Sequence, residues 1–125
     1  QRFNIFSKRI KKVYLDQSNQ NEISKFKSKF NKVKYAIIID DGSHIDDHII
    51  LTFNNLIERV SKGGFYIIED ASKELTPKTM RLINNRLFKK KFGISKIWIF
   101  KSEEGAQLFK FDGTKQNYII FLKKN

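Results

Sequence analysis

Cysteine is absent from this chain of 125 residues, and proline occurs once. Without thiols there is no disulfide framework, no zinc–thiolate site and no cysteine nucleophile, a composition that fits a reducing compartment. The cytoplasm is the expected location. No apolar run approaches the roughly 18 residues of a membrane-spanning helix, and residues 1–12 lack the apolar centre of a signal peptide. No membrane partner is expected. Arginine is also sparse, at five of the 25 basic residues. Proteins that read phosphates and bases lean on the bidentate guanidinium fork, so this scarcity argues against a nucleic-acid partner.

Lysine and phenylalanine are abundant. Twenty-five basic residues against 13 acidic ones give a net charge of +12, which draws a chain toward polyanions. The lysines are scattered over helices and termini, with no stripe of interleaved aromatics, and Lys, Asn, Ile and Phe share A/T-rich codons. The charge is better explained by composition than by a nucleic-acid site. Hydrophobic residues make up 40% of the chain, including 12 Phe, enough to build one core in a single domain spanning 1–125.

Local patterning predicts an α/β fold. Arg9 to Leu15 alternates as a strand does and stops at the polar run Asp16 to Asn21. Glu22 to Phe30 places Ile23, Phe26 and Phe30 on one face of a short helix. Tyr35 to Asp40 is a continuous apolar run, as expected of a strand buried on both faces of a parallel sheet. Ile45, Ile49, Ile50, Phe53, Leu56, Ile57 and Val60 form the stripe of an amphipathic helix, with Asp46 and Asp47 in its first turn and Lys62-Gly63-Gly64 closing it. Gly64 to Asp70 is a second buried strand, which completes a β-α-β crossover.

Beyond it, Pro77 opens a helix predicted to run to about Lys91, with Met80, Ile83, Leu87 and Phe88 inward and Gly93 past its end. Ile94 to Phe100, Gln107 to Phe111 and Asn117 to Leu122 read as strands, the last two separated by a turn at Asp112-Gly113. The expected architecture is Rossmann-like. It has a mostly parallel sheet, helices on both faces and an antiparallel C-terminal strand pair.

In such sheets ligands bind beyond the carboxyl ends of the strands. Acids stand at three such ends: Asp16, Asp40 with Asp41, and Glu69 with Asp70. Carboxylates crowded at one sheet edge repel one another unless a cation neutralises them, and a hard ion such as Mg²⁺ takes oxygen ligands of this kind. His44 follows three residues after Asp41, and imidazole is the side chain best matched to proton abstraction near neutral pH. Ser43 reads as a turn or cap residue and His48 as structural. No phosphate-binding glycine motif occurs anywhere.

The segments IIIDDGSH (37–44), HIILTFNNL (48–56) and KGGFYIIED (62–70), with YLDQSN (14–19) upstream, resemble the central block of class I S-adenosylmethionine-dependent methyltransferases. They are most similar to the macrolide-sugar O-methyltransferases of the mycinamicin and tylosin pathways. The resemblance implies Mg²⁺ ligands at Asp41, Glu69 and Asp70 and a general base at His44. It also implies contacts near the methyl donor from Asp16 and Gln17, with Asp40 flanking the cofactor pocket.

The acceptor implied is a small molecule with a sugar or glycoside hydroxyl. The family's glycine-rich turn and ribose-binding acid have no counterpart here, so the chain is expected to match the C-terminal portion of the fold, incomplete at its N-terminus. Alone it is expected to show weak or no activity. The competing reading is a catalytically silent basic module that binds nucleic acid or a partner protein, and a homo-oligomer is compatible with either.

Overall fold

In the computed structural model, which describes residues 10–71, 76–102 and 117–125, the first regular element is the helix α1, Gln20–Lys29. The Asn19 side chain accepts from the backbone N–H groups of Asn21 and Glu22, and Lys27 and Lys29 occupy the last turn, where the helix dipole favours cations. Strand β1, Tyr35–Asp40, leads into helix α2, Asp46–Leu56, and strand β2, Val60–Ala71, returns parallel to β1. This is the expected crossover. Helices α3, Pro77–Asn84, and α4, Arg86–Phe92, precede strands β3, Ile94–Ser102, and β4, Asn117–Lys124. The sheet order is β1-β2-β4-β3, with β4 antiparallel to both neighbours.

The α/β class and the antiparallel C-terminal strands are as expected, but several details differ. Among the described residues parallel pairing is confined to β1 and β2, whereas a mostly parallel sheet was expected. Residues 10–15 form no strand and are exposed, because alternation becomes a strand only where a partner accepts its backbone hydrogen bonds, and no described strand pairs with them. The segment Gln107 to Phe111 and the turn Asp112-Gly113 lie outside the described residues.

Lys62-Gly63-Gly64 does not close α2. The helix stops at Leu56, one 3₁₀ turn covers Ile57–Arg59, and β2 has already begun at Val60. The glycines instead shape an irregularity inside β2: the β1 pairing jumps from Tyr35–Val60 to Ile37–Phe65. Gly63 has φ 74°, and a Cβ on Gly64 would run into the Ala36 carbonyl oxygen.

The single helix expected from Pro77 to Lys91 is two. Asn85 is extended, and its side chain accepts from the N–H groups of Leu87 and Phe88, so it caps α4 rather than continuing α3. The break resets the helical phase. Ile83 and Phe88 are buried as expected, whereas Leu87 is 76% exposed. Gly93 ends α4 in the left-handed conformation, as its position predicts.

The core lies between the helices and one face of the sheet. Ile49, Phe53 and Leu56 of α2, Ile83 of α3 and Phe88 of α4 pack with Tyr66, Ile68, Ile120 and Leu122 of the sheet, and Phe26 of α1 leans on the same cluster. Phe53 is central, with ring centroids 4.9 Å from Tyr66, 5.2 Å from Phe88 and 5.6 Å from Phe92. Phe53→Ala is expected to lower the unfolding free energy by about 3–5 kcal/mol, measured by urea denaturation. A loss under about 1 kcal/mol would place the core elsewhere.

Among the described residues the packed helices cover this one face, although helices on both faces were expected. On the other face Ile37, Ile39 and Phe100 are more than half exposed, so β1 is not buried on both sides as its apolar run suggested. A strand reads as continuously apolar whether or not its second face is covered within the described residues.

Candidate active site

Because β1 and β2 run parallel, their carboxyl ends lie side by side, with Asp40 in register with Ile68. The residues that follow each strand therefore meet. Asp41 and His44 come from the β1–α2 connection and Asp70 from the end of β2. Their ligand atoms all lie within 4.8 Å of one another, the one such group of three among the described residues. His44 Nε2 is 3.7 Å from Asp41 Oδ1 and 3.9 Å from Asp70 Oδ2. The imidazole side chain is 34% exposed, against 62% for Asp41 and 49% for Asp70, so the carboxylates face solvent around a half-sheltered ring.

Two of the three residues have a left-handed backbone: φ is 55° at His44 and 51° at Asp70. For residues with a Cβ this conformation costs on the order of 1–3 kcal/mol and persists only where the surroundings enforce it. Such strain clusters at functional sites. Here it turns both side chains toward the shared group.

Gln17 and Asp40 are brought together beneath this group. Gln17 Nε2 donates to Asp40 Oδ1 at 2.6 Å, and Gln17 Oε1 accepts from the Ser43 N–H at 2.9 Å. The bridge leaves no room for a side chain at position 42, since a Cβ on Gly42 would overlap the Gln17 amide. Tyr66 Oη donates to the other Asp40 oxygen at 3.3 Å. Burial pushes the Asp40 carboxyl above the usual carboxylate range, a shift that the hydrogen bonds from Gln17 and Tyr66 oppose. Burial also pushes the Tyr66 phenol well up, and the neighbouring Asp40 charge adds to this.

Asp16 stands apart from these groups. It is exposed and accepts from the Ser18 N–H at 2.8 Å and the Ser18 hydroxyl at 2.7 Å, bonds that hold its carboxyl below the usual range. Glu69 is half-buried and is not in the group formed by Asp41, His44 and Asp70.

Tyr66, Asp46 and His48 make contacts beyond those expected of them. Tyr66 was legible as the one hydroxyl-bearing aromatic in the strand GFYIIED. Asp46, expected only to complement the dipole of α2, is buried and caps α3, accepting from the N–H groups of Lys78 and Thr79 and from the Thr79 hydroxyl. His48 contacts the Ser43 hydroxyl.

No protein-family model matches the chain. It is 33% identical over 69 residues to the 8-demethyl-8-alpha-L-rhamnosyl tetracenomycin-C 2'-O-methyltransferase of Streptomyces olivaceus, a match covering 55% of this chain and 18% of that protein. It is 37% identical over 62 residues to the demethylmacrocin O-methyltransferase of Streptomyces fradiae, covering 50% of this chain and 15% of the relative. The matches thus span less than a fifth of the length of these relatives. Among solved structures it is similar to the MycE methyltransferase of the mycinamycin biosynthetic pathway, in complex with Mg and SAH. That likeness has a TM-score of 0.57 at 19% identity and covers 90% of this chain and 32% of the other. The chain therefore shares the Rossmann-like α/β fold of MycE over the matched part, and its sequence matches are to O-methyltransferases.

Proposed function

We propose that this chain carries the base-bearing and metal-binding part of an S-adenosylmethionine-dependent, Mg²⁺-assisted O-methyltransferase acting on a sugar or glycoside hydroxyl. Residues 1–125 would form one unit, the C-terminal portion of that fold. The observation that carries the reading is the meeting of His44 Nε2 with Asp41 and Asp70 at the ends of two parallel strands. The names of the relatives supply the reaction class and the kind of acceptor.

The donor set suits Mg²⁺, which binds through one or two carboxylates and keeps its remaining positions for water and substrate oxygens. Asp41 and Asp70 would hold the ion, with Glu69 as the proposed third carboxylate at the same strand end. When bound, Mg²⁺ supplies a Lewis acid for the acceptor hydroxyl and S-adenosylmethionine an electrophilic methyl group.

The chain's own residues do the rest. His44 Nε2 would accept the proton of the acceptor hydroxyl, which frees that oxygen to take the methyl group the donor supplies. The strained backbone at His44 and Asp70 would fix the directions of these side chains before the acceptor arrives. Asp40 and Gln17 would flank the methyl donor, with Tyr66 holding Asp40 in place. Asp16 would reach the donor from the turn that precedes α1.

The test is transfer of a labelled methyl group from S-adenosylmethionine to a glycoside panel by the full-length protein. Transfer that requires Mg²⁺ and stops on chelation is expected. Absence of transfer to every glycoside, with and without Mg²⁺, would refute the reading. The competing basic-module reading predicts steeply salt-dependent binding to any polyanion and no turnover.

A further inference from the structure

The loop that bears His44 is pinned from two sides. Ser43 N–H donates to Gln17 Oε1 at 2.9 Å, and Gln17 is anchored in turn on the buried Asp40 carboxyl. On the other side Ser43 Oγ lies 2.9 Å from His48 Nδ1 and accepts from the Ile45 N–H at 3.5 Å. His48 is half-buried in the first turns of α2, next to the buried Ile49, so its ring belongs to a rigid element.

His44 follows Ser43 directly and holds its left-handed φ of 55° between these pins. A hydroxyl engaged by an imidazole and by a backbone N–H is tied into its loop rather than poised as a nucleophile. Resting on the methyl-transfer reading, we infer that His48 is a positioning residue: through Ser43 it holds the His44 backbone so that Nε2 faces Asp41, Asp70 and the acceptor.

Ser43 and His48 act as one device. Losing either partner frees the loop, and losing both adds little more. His48→Asn tests the contact itself, because its side-chain amide falls near the position of Nδ1 and can keep a hydrogen bond to Ser43 Oγ.

The experiment compares His48→Ala, Ser43→Ala, the double variant and His48→Asn in the full-length protein, by amide hydrogen exchange and by methyl-transfer kinetics. In His48→Ala the amide of Ser43 is expected to exchange about tenfold faster while amides of β2 and β4 keep their protection. Turnover is expected to fall about tenfold to a hundredfold with little change in KM for the methyl donor, equally in the double variant, and to recover in His48→Asn.

Unchanged exchange at Ser43, additive losses, or loss of protection spread evenly through β2 and β4 would overturn the inference. If the unsubstituted protein transfers no methyl group, the functional reading fails, and the exchange pattern alone then upholds or overturns the hold of His48 on the loop.

Discussion

Replacing His44 with alanine is expected to lower methyl-transfer turnover about 10²- to 10⁴-fold, the usual contribution of a positioned general base. Binding of S-adenosylhomocysteine, measured by calorimetry, should change by less than about threefold, because in the proposed role the side chain would act on the acceptor proton and not on the methyl donor. The size of the loss follows from the geometry. Asp41 and Asp70 stand 3.7 and 3.9 Å from Nε2, so an acceptor hydroxyl held by that pair would lie beside the ring. His44→Asn serves as the companion variant, since asparagine tolerates the left-handed backbone that His44 adopts and keeps the loop in place. Turnover within about tenfold of the unsubstituted protein in both variants would remove His44 from the proposed role of base.

Converting Asp41 and Asp70 together to asparagine is the second large effect. The side chains keep their shape, and Asn accommodates the positive φ at Asp70 as readily as Asp does. What is lost is the pair of negative charges. Activation by Mg²⁺ should disappear, with turnover at saturating Mg²⁺ falling about a hundredfold or more, the scale of a few kcal/mol of charge stabilisation.

The same change should leave thermal stability without metal equal or slightly higher. Asp41 and Asp70 are both substantially exposed and close together, and their mutual repulsion is relieved when either is neutralised. Loss of activity with retained stability separates a functional pair from a structural one. A fall in melting temperature matching the fall in activity would contradict the assignment.

Much of this candidate site is legible in the sequence. Asp40-Asp41 and Glu69-Asp70 end two apolar runs joined by an amphipathic helix, and a β-α-β crossover necessarily sets two such ends side by side. The helix signals at Pro77 and Gly93 were equally readable, because capping is decided by residues close in sequence, whereas Asn19, read as part of a polar loop, proved to cap α1. What escaped depends on distant partners. Gln17 was expected at the methyl donor, and its bridge from Asp40 to Ser43 joins residues 23 and 26 positions apart. The cap that Asp46 provides for α3 spans 32 and 33 positions and has no local signature. Asn85 splits a helix that periodicity joins, since an asparagine reads equally as a helix residue or a cap until the packing of Ile83 and Phe88 selects one. The exposed face of β1 was hidden for another reason: an apolar run records what a strand can bury, not what covers it.

On the proposed reading Asp41 and Asp70 form one divalent-cation site beside His44. Titration of the full-length protein with Mn²⁺, which favours the same oxygen ligands as Mg²⁺ and is read directly by electron paramagnetic resonance, tests it without any assumption about the acceptor. One Mn²⁺ bound per chain is predicted, displaced by Mg²⁺ and lost when Asp41 and Asp70 are both asparagine. Mn²⁺ binding that survives the double substitution undiminished, or no binding in the unsubstituted protein, would contradict the claim.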